Sequence, residues 1–276
     1  MTSTRERQRA AARARLEKEM AERAAAARKR RRLQASVGAG VALLQVVAGT
    51  VWLVVSLGDD KTETASPAAG ATCAWTEIPA DQRSPQTKDV GLPPTTAKNT
   101  GSQTMTIDTG LGPITATLDL STVPCTAANF THLAEKKFFD NTKCHRLVTE
   151  GLQVLQCGDP SVTGAGWRDS DGTGGPTYRF AEENLPTDKR PPYPAGVIAM
   201  ANSGQPGSTG SQFFIVYGDS QLDPAYTVLG TVTGGLDLVE QVGAAGHDNA
   251  FAEQAGGGHP KKEVLIKSLT MSATAG

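Results

Sequence analysis

The chain has 276 residues, of which 38% are hydrophobic and 20% charged, and its formal net charge is −1. This length fits one sizeable globular domain with appendages, and the dense apolar runs of the second half exclude a wholly disordered chain. Residues 1–33 hold twelve basic and four acidic residues, a charge of +8, and the remainder holds fifteen and twenty-four, a charge of −9. A basic head on an acidic body indicates two environments. Four cysteines without a C-x-x-C pair exclude a disulfide scaffold, a zinc ribbon and a thioredoxin-type site.

An uncharged segment follows the basic head. Residues 33–58 contain no charged side chain, and about 22 helical residues span roughly 33 Å, enough for a bilayer core of about 30 Å. The alternatives are a buried core helix, which needs a polar face, and a cleaved signal peptide, whose basic and apolar regions are shorter. We therefore expect a transmembrane helix over 34–57. The basic residues 28–32 before it and the acidic residues 59–60 after it orient the N-terminus toward the cytoplasm and the C-terminal body outside the cell membrane.

The segments that flank this span differ in composition. Residues 1–33 are rich in Ala, Arg and Glu, which predicts a helix with solvated charges that set the topology; attraction to anionic lipid follows from the same charges, and we expect no nucleic-acid partner. Residues 58–101 are rich in Thr, Ser, Pro and Ala, which predicts an extracytoplasmic linker. The sequence Cys73-Ala-Trp75 is atypical of a linker, so we expect part of it to pack on the domain that follows. No apolar lipobox precedes Cys73, which argues against a lipid anchor there.

From residue 102 onward the pattern is mostly that of strands. Residues 114–120 alternate between apolar and polar side chains, as a half-buried strand does. Residues 122–137 change to helical spacing with Pro124 in the first turn, and a second helix fits 236–242, closed by Gly243. Many short strands with only two helices favour a closed or nearly closed antiparallel barrel, because closure removes sheet edges. Further strand-like runs cover 145–148, 153–157, 196–201, 212–217, 226–232 and 264–271.

The usual motifs of covalent, phosphate and zinc chemistry are missing. The sequence contains no G-x-S-x-G, no P-loop, no H-E-x-x-H and no dinucleotide fingerprint. The four histidines are scattered along the chain, so we expect no metal and no cofactor. Pattern and composition alone therefore lead to a membrane-anchored, outward-facing β-rich domain.

Three segments carry a more specific signal: Cys144-His-Arg146 followed by Val154-Leu-Gln-Cys-Gly-Asp159, then Gly196-Val-Ile-Ala-Met-Ala-Asn202, then Gly210-Ser-Gln-Phe-Phe-Ile215. Together with Gly172-Thr-Gly-Gly-Pro176, in this order and at compatible spacing, they resemble the cyclophilin family of peptidyl-prolyl cis-trans isomerases over about residues 102–274. The resemblance implies an eight-stranded closed antiparallel β-barrel capped by two α-helices. The high content of Ala, Arg and Gly indicates a GC-rich bacterial source, so the chain resembles a membrane-anchored, actinobacterial-like member.

The chemistry of this family suits the residues of the motifs. Rotation about an X-Pro bond has a barrier of ~18–20 kcal/mol, set by amide resonance, and breaks no bond to hydrogen. The site needs an apolar proline pocket and a donor for the nitrogen lone pair of the twisted amide, which an arginine supplies. The resemblance implies that Arg146 is the catalytic guanidinium and that Gln156 positions it or binds the substrate. It also implies that Val154, Phe214 and Leu222 line the proline pocket with Met200 behind it, and that Ala201, Asn202 and Gln212 bind the peptide backbone.

The sequence departs from the family pattern around the pocket. The hairpin 149–153 has two extra residues, and Gln153, or Leu152 if the gap shifts, stands where the family has a phenylalanine. Tyr226 replaces the pocket histidine and still supplies an aromatic wall. Gln221 replaces the tryptophan associated with cyclosporin binding, which predicts weak inhibition by that drug.

The four cysteines allow three disulfide pairings. Cys144 and Cys157 flank the hairpin, which leaves Cys73 to pair with Cys125, and oxidation is plausible outside the membrane. We favour this pairing, which would pin the linker to the first helix.

We expect a monomeric isomerase whose substrates are proline-containing polypeptides, namely secreted or envelope proteins that fold beyond the membrane. Two alternatives stay open. One is a non-catalytic proline-peptide binding or holdase-type chaperone module, which Gln153 motivates, and the other is a structural spacer of the cell envelope.

Overall fold

The computed structural model describes residues 70–218, 220, 222–253 and 256–275. The predicted basic segment 1–33, the predicted transmembrane helix 34–57 and Gln221 lie outside these residues. Within them, neither α-helix has the length and hydropathy needed to cross a membrane.

The described residues form short strands, two α-helices and a single 3-10 turn at Ala80–Gln82. The helices are α1 (Pro124–Glu135) and α2 (Leu236–Ala245). The strands are β1 (Ala71–Thr72), β2 (Thr76–Glu77), β3 (Thr87–Lys88), β4 (Thr96–Ala97), β5 (Ser102–Thr109), β6 (Gly112–Asp119), β7 (Thr142–Lys143), β8 (Arg146–Val148), β9 (Gln153–Cys157), β10 (Gly175–Pro176), β11 (Tyr178–Arg179), β12 (Val197–Met200), β13 (Phe213–Gly218), β14 (Val228–Gly234) and β15 (Leu265–Met271).

Nine strands make one antiparallel sheet in the order β7-β15-β5-β6-β14-β12-β13-β9-β8. The expected closed eight-stranded barrel is wrong, because among the described residues the edge strands β7 and β8 do not pair with each other. They are consecutive pieces of the stretch 142–148, interrupted at Cys144 and His145, so they follow one another instead of lying side by side. The first piece pairs with β15 and the second with β9. The sheet is therefore a curled half-barrel.

The two helices cover the sheet. Helix α1 begins at Pro124, as predicted, and buries Phe130 and Leu133 completely in the main core. Helix α2 begins where predicted, but its predicted end at Gly243 is wrong, because it continues to Ala245 and ends before Gly246 at φ 75°. Gly243 lies inside the helix. A Cβ at this position would come within 2.5 Å of the Tyr217 ring, which explains why the residue is a glycine. This glycine permits close packing and does not terminate the helix.

The sheet has two apolar faces. Along β13, Phe213 and Ile215 point into the main core, whereas Phe214 and Val216 point to the other side. Because side chains alternate along a strand, the same division holds on β8, β9 and β12. The second face carries a smaller apolar cluster, and this cluster positions the candidate site.

Residues 70–99, which we call the arm, pack on this domain. A disulfide joins Cys73 to Cys125 in α1, and the Trp75 ring meets Tyr178 and Phe180 edge-on at 5.7 and 5.1 Å. Strand β2 pairs with β11, and β3 pairs with β10. The arm is closed on itself by the pairing of β1 with β4.

Candidate active site

One row of side chains across the second face brings the predicted residues together. The register places Arg146 opposite Gln156, Gln156 opposite Phe214, and Phe214 opposite Ala199. Neighbouring strands lie about 4.8 Å apart, and directly opposed residues share a face. A guanidinium, an amide and an aromatic ring therefore follow one another at successive strand spacings, although 68 residues of chain separate Arg146 from Phe214.

The guanidinium of Arg146 is held by a defined set of acceptors. Its Nε donates to the carbonyl of Gly256 at 2.9 Å, and Nη1 donates to Oε1 of Gln156 at 3.1 Å. The Nε2 of Gln156 in turn donates to Oε1 of Gln212 at 2.9 Å. Burial lowers the pKa of Arg146, whereas the nearby Tyr226 acts in the opposite direction. The side chain nevertheless remains charged, since an arginine is not deprotonated in proteins.

An apolar cavity of about 490 Å³ lies beside this guanidinium, and we call it the first pocket. The ring of Phe214 forms its base and meets Tyr226 edge-on at 5.6 Å and 83°. The hydroxyl of Tyr193 fixes Tyr226, because it donates to the carbonyl and accepts from the amide of that residue, each at 2.9 Å. The apolar side chains that line the pocket are Leu152, Val154, Ala201, Phe214, Leu222, Tyr226 and Phe251.

Two of the predicted pocket residues lie elsewhere. Leu152, and not Gln153, lines the first pocket, and the side chain of Gln153 covers Gly218 on the neighbouring strand. The shifted gap in the hairpin is therefore the correct alignment. Met200 does not touch the pocket: it is completely buried in the main core, because it follows the inward alternation of β12. Its predicted role as a support behind the pocket stays a prediction.

The three residues expected at the peptide backbone lie on the rim. Ala201 and Asn202 line the first pocket and also a neighbouring cavity, the second pocket. Gln212 lines only the second pocket. Its Nε2 donates to the carbonyls of Gly172 and Gly174 at 2.7 and 2.9 Å. Gln212 therefore connects the loop at 172–174, which we call the rim loop, to Gln156 and through it to Arg146.

The sequence analysis missed several residues of the site. His145 lines the polar end of the first pocket, is 2% exposed, and neither ring nitrogen has a hydrogen-bond partner among the described residues. Burial lowers its pKa to about 4, against the opposing charges of Asp159 and Asp171. Its position next to Arg146 in the motif was a signal that could have found it. The carbonyl of Gly256 lies 110 residues from Arg146, and no local pattern marks it.

Asp159 organises the rim loop from below. It is fully buried, and its Oδ2 accepts from the amides of Gly172 and Gly174 at 2.8 and 2.9 Å. Its Oδ1 accepts from the amide and the hydroxyl of Ser161 at 2.8 and 2.7 Å. Four hydrogen bonds satisfy this buried carboxylate, which the motif ending at residue 159 had included without a role.

The disulfides follow the pairing favoured from the sequence. Cys144 is bonded to Cys157, directly beside Arg146 and Gln156, and Cys73 is bonded to Cys125. Among the described residues no cysteine is free. A lipid anchor on Cys73 is incompatible with this arrangement, because its sulfur is already bonded.

Comparison with known proteins identifies the family. The family model described as "Cyclophilin type peptidyl-prolyl cis-trans isomerase/CLD" matches residues 104–271. A protein of Mycobacterium leprae named "Probable peptidyl-prolyl cis-trans isomerase B" is 46% identical over 175 residues, which cover 59% of this chain and 55% of that protein. The protein of the same name from Mycobacterium tuberculosis (strain ATCC 25618 / H37Rv) is 39% identical over 219 residues, which cover 73% and 64%. The chain thus spans less than two thirds of the length of these relatives.

Solved structures give the same fold. A crystal structure of a cyclophilin type peptidyl-prolyl cis-trans isomerase from Cryptosporidium parvum matches with a TM-score of 0.52 and 26% identity, covering 63% of this chain and 99% of that one. The structure of that protein in the presence of the dipeptide Ala-Pro matches with a TM-score of 0.50. The chain belongs to the cyclophilin-type peptidyl-prolyl cis-trans isomerase family.

Proposed function

We propose that this chain catalyses cis-trans isomerisation of X-Pro bonds in polypeptides. The observation that carries the proposal is the buried Arg146 guanidinium, fixed by Gly256 and Gln156, beside an apolar pocket based on Phe214. The proline ring occupies the first pocket, and Arg146 donates to the amide nitrogen as the twisted bond returns its lone pair. The structure of the Cryptosporidium protein in the presence of the dipeptide Ala-Pro supports a proline-containing substrate here.

The energies required match what such a site supplies. An acceleration of ~10⁵ needs about 7 kcal/mol of transition-state stabilisation. A fixed charged donor in a partly dry site contributes about 3–4 kcal/mol. The remainder comes from holding the proline and its flanking backbone more tightly in the twisted form than in either planar form. No proton transfer is involved, so the low pKa of His145 is no obstacle.

Replacement of the guanidinium tests the proposal. We expect Arg146→Ala to lower kcat/KM of the full chain by about 10²- to 10³-fold, because one preorganised donor to the transition state is lost. Arg146→Lys keeps the charge but not the planar fork, and we expect a loss of about tenfold or more. NMR exchange on an Ala-Pro peptide measures both rates without a coupling protease.

The control for these variants is Lys267→Gln, which removes an exposed cation on β15 that lines neither pocket. It should leave the rate unchanged. Peptide binding with no acceleration by the unaltered chain would instead favour the proline-peptide binding module. That alternative rested on Gln153 in the pocket, a position that Leu152 occupies.

We infer further that the domain is anchored in a bacterial cell membrane and faces outward, where it acts on secreted or envelope proteins. The uncharged residues 33–58, the basic residues before them and the acidic body after them support this topology. Two disulfides suit an oxidising compartment outside the membrane, and the mycobacterial relatives support an actinobacterial-like source. In this proposal residues 1–33 are the basic cytoplasmic segment and 34–57 the transmembrane helix. Residues 58–101 are the extracytoplasmic linker and 102–274 the isomerase domain.

Membrane fractionation tests the anchor. The full chain should stay in the membrane after alkaline carbonate extraction, and a variant without residues 34–57 should be released. Protease added to intact spheroplasts should digest the C-terminal domain and spare an epitope at the N-terminus. A protected C-terminal domain would overturn the orientation, and release of the full chain by carbonate would overturn the anchor.

A further inference from the structure

The carbonyl that holds the guanidinium of Arg146 belongs to a loop that follows α2. The described residues of this loop are 247–253 and 256–260, and we call them the clasp. The clasp supplies the Gly256 carbonyl that accepts from Nε of Arg146 at 2.9 Å. It also pairs with β8 beside the guanidinium, because Gly258 and the residue after Arg146 exchange two backbone hydrogen bonds of 2.8 and 3.0 Å. The place of the clasp therefore determines where this acceptor lies.

One pair of side chains closes the base of the clasp. Oδ1 of Asp248 accepts from the amides of Ala250 and His259 at 2.9 and 2.8 Å, and Oδ2 accepts from Nδ1 of His259 at 2.9 Å. The amide of Asp248 donates to the carbonyl of His259 at 3.1 Å. The Nε2 of His259 is buried and has no hydrogen-bond partner among the described residues, so the bond to Asp248 is the one that orients the ring. The carboxylate and the imidazole thus join the two ends of the clasp.

The ring of His259 also connects the clasp to the segment that precedes the rim loop. Trp167 stacks on it with ring centroids 4.6 Å apart and planes 6° from parallel. Phe251, which lines the first pocket, meets the same ring edge-on at 4.8 Å. Trp167 is held by the buried Lys143, whose Nζ lies 4.0 Å from the indole centroid and donates to the carbonyl of Gly166 at 2.7 Å. The imidazole therefore packs between two segments that flank the site.

These contacts complete a closed circuit through the catalytic guanidinium. From its Nη1, hydrogen bonds lead through Gln156 and Gln212 to the rim loop. From its Nε, a hydrogen bond leads to the clasp. The rim loop and the clasp meet again where Trp167 stacks on His259, because only the turn at 168–171 separates Trp167 from the rim loop. The guanidinium and the imidazole are thus the two points at which these loops are connected.

We propose that Asp248 and His259 are positioning residues for the isomerisation, because they hold the clasp so that the Gly256 carbonyl fixes the guanidinium of Arg146. Neither side chain lines the first or the second pocket, so both act through Arg146 and not on the peptide. The inference rests on the proposed isomerase function, because the rate in question is that of the X-Pro bond. A donor displaced by about 1 Å can cost up to about 10²-fold in rate.

Variants of the full chain test this role through their dependence on Arg146. Asp248→Ala should lower kcat/KM on the Ala-Pro peptide by about three- to tenfold, because the acceptor of the guanidinium shifts. Arg146→Lys removes the Nε–H that binds Gly256. In that background Asp248→Ala should lower the rate by less than about twofold, since the group that it positions is gone. A carboxylate that served only the stability of the fold would cost the same factor in both backgrounds.

Conservative variants separate the hydrogen bond from the packing. Asp248→Asn keeps an oxygen that accepts from the two amides, and it should recover most of the rate that Asp248→Ala loses. His259→Asn places a side-chain N–H close to the position of Nδ1 and should stay within about twofold of the unaltered chain. His259→Phe keeps the stacked ring without the donor, and it should lose as much rate as Asp248→Ala. Equal losses in His259→Asn and His259→Phe would contradict the role of the hydrogen bond.

The Nε–H proton of Arg146 gives a readout that does not depend on activity. Its NMR signal is identified by its absence in Arg146→Lys, and the bond to Gly256 slows its exchange with water. Asp248→Ala should raise this exchange rate by about threefold or more. The matched control is Asp119→Ala, which removes a carboxylate that accepts from the amide and the hydroxyl of Ser121 and lines neither pocket. It should change neither the exchange nor kcat/KM.

The outcomes distinguish this inference from the proposed function. Unchanged Nε–H exchange in Asp248→Ala, or the same loss of rate with and without Arg146, would overturn the positioning role and leave the isomerase proposal standing. If the unaltered chain isomerises no peptide, the proposed function fails, and the exchange measurement still shows whether the clasp holds the guanidinium. Should Asp248→Ala fail to fold, Asp248→Asn and His259→Phe allow the same comparison in both backgrounds.

Discussion

The two pockets of the groove are built in different ways. The first pocket stands on three adjacent strands, each of which contributes one key side chain: Arg146, Gln156 and Phe214. The register of the sheet fixes the positions of these side chains relative to one another. The second pocket is assembled from the arm, a rim loop and β11, segments held together by short strand pairs and by the Cys73–Cys125 disulfide. The difference predicts that the two pockets respond separately to mutation.

Removal of the arm disulfide should separate them most strongly. The bond closes a loop of 52 residues, and loss of a cross-link that closes a loop of this size costs up to about 4 kcal/mol of unfolding free energy. Cys73→Ser with Cys125→Ser should therefore lower the denaturation midpoint. The rate with the Ala-Pro peptide should fall by less than about threefold, because the first pocket does not depend on this bond.

Chemical denaturation and NMR exchange on the Ala-Pro peptide measure the stability and the rate in one preparation. The control is Cys144→Ser with Cys157→Ser, which breaks the disulfide beneath Arg146 and closes only 13 residues. We expect that pair to lower the rate with the Ala-Pro peptide more than loss of the Cys73–Cys125 bond does. Equal rates in the two double variants would contradict the separation of the two pockets.

Loss of the ring at the base of the first pocket should have the next largest effect. Phe214 is 5% exposed and contacts Tyr193 and Tyr226 edge-on. Phe214→Ala removes the surface on which the proline rests, and we expect kcat/KM to fall by about 10²-fold, or about 3 kcal/mol, the scale of burying one apolar side chain. Phe214→Leu keeps an apolar base and should recover part of the rate. NMR exchange on the Ala-Pro peptide measures both, and an unchanged rate in Phe214→Ala would exclude this pocket as the proline site.

The sequence predicted the strand-built part of the molecule well. The strand alternation, the place of Pro124 in the first turn of α1 and the start of α2 followed from short-range periodicity. The grouping of Arg146, Gln156 and Phe214 followed from the resemblance to the cyclophilin family. The Cys73–Cys125 contact of the arm was predicted, but the pairing of β2 with β11, the pairing of β3 with β10 and the contact of Gly256 were not. These three join segments more than about 80 residues apart that carry no periodic signal. Closure of the barrel was wrong for a related reason: the interruption at Cys144 and His145 lies within one strand-like run, and only the pairing partners reveal it.

The buried His145 should make stability depend on pH. Its pKa is about 4 in the folded chain against 6.5 for an ordinary histidine, because burial disfavours the charged ring. Between these two values the unfolded chain binds more protons, so stability should fall as the pH drops from 6.5 toward 4 and level off below. His145→Asn should flatten this part of the profile of unfolding free energy against pH. A slope that is unchanged in the variant would contradict the assignment of the acid sensitivity to His145.

The hairpin 149–153 offers the smallest and most local test. Leu152 lines the first pocket, whereas Gln153 lies over Gly218 and outside it. Leu152→Ala should lower kcat/KM by about three- to tenfold, since one partly exposed apolar wall is lost, and Gln153→Ala should leave it within about twofold. The reverse ranking would restore Gln153 as the pocket residue, and with it the argument for a weakly catalytic binding module. Because the two residues are adjacent and only Leu152 lines the first pocket, this pair tests which side of the hairpin faces the proline.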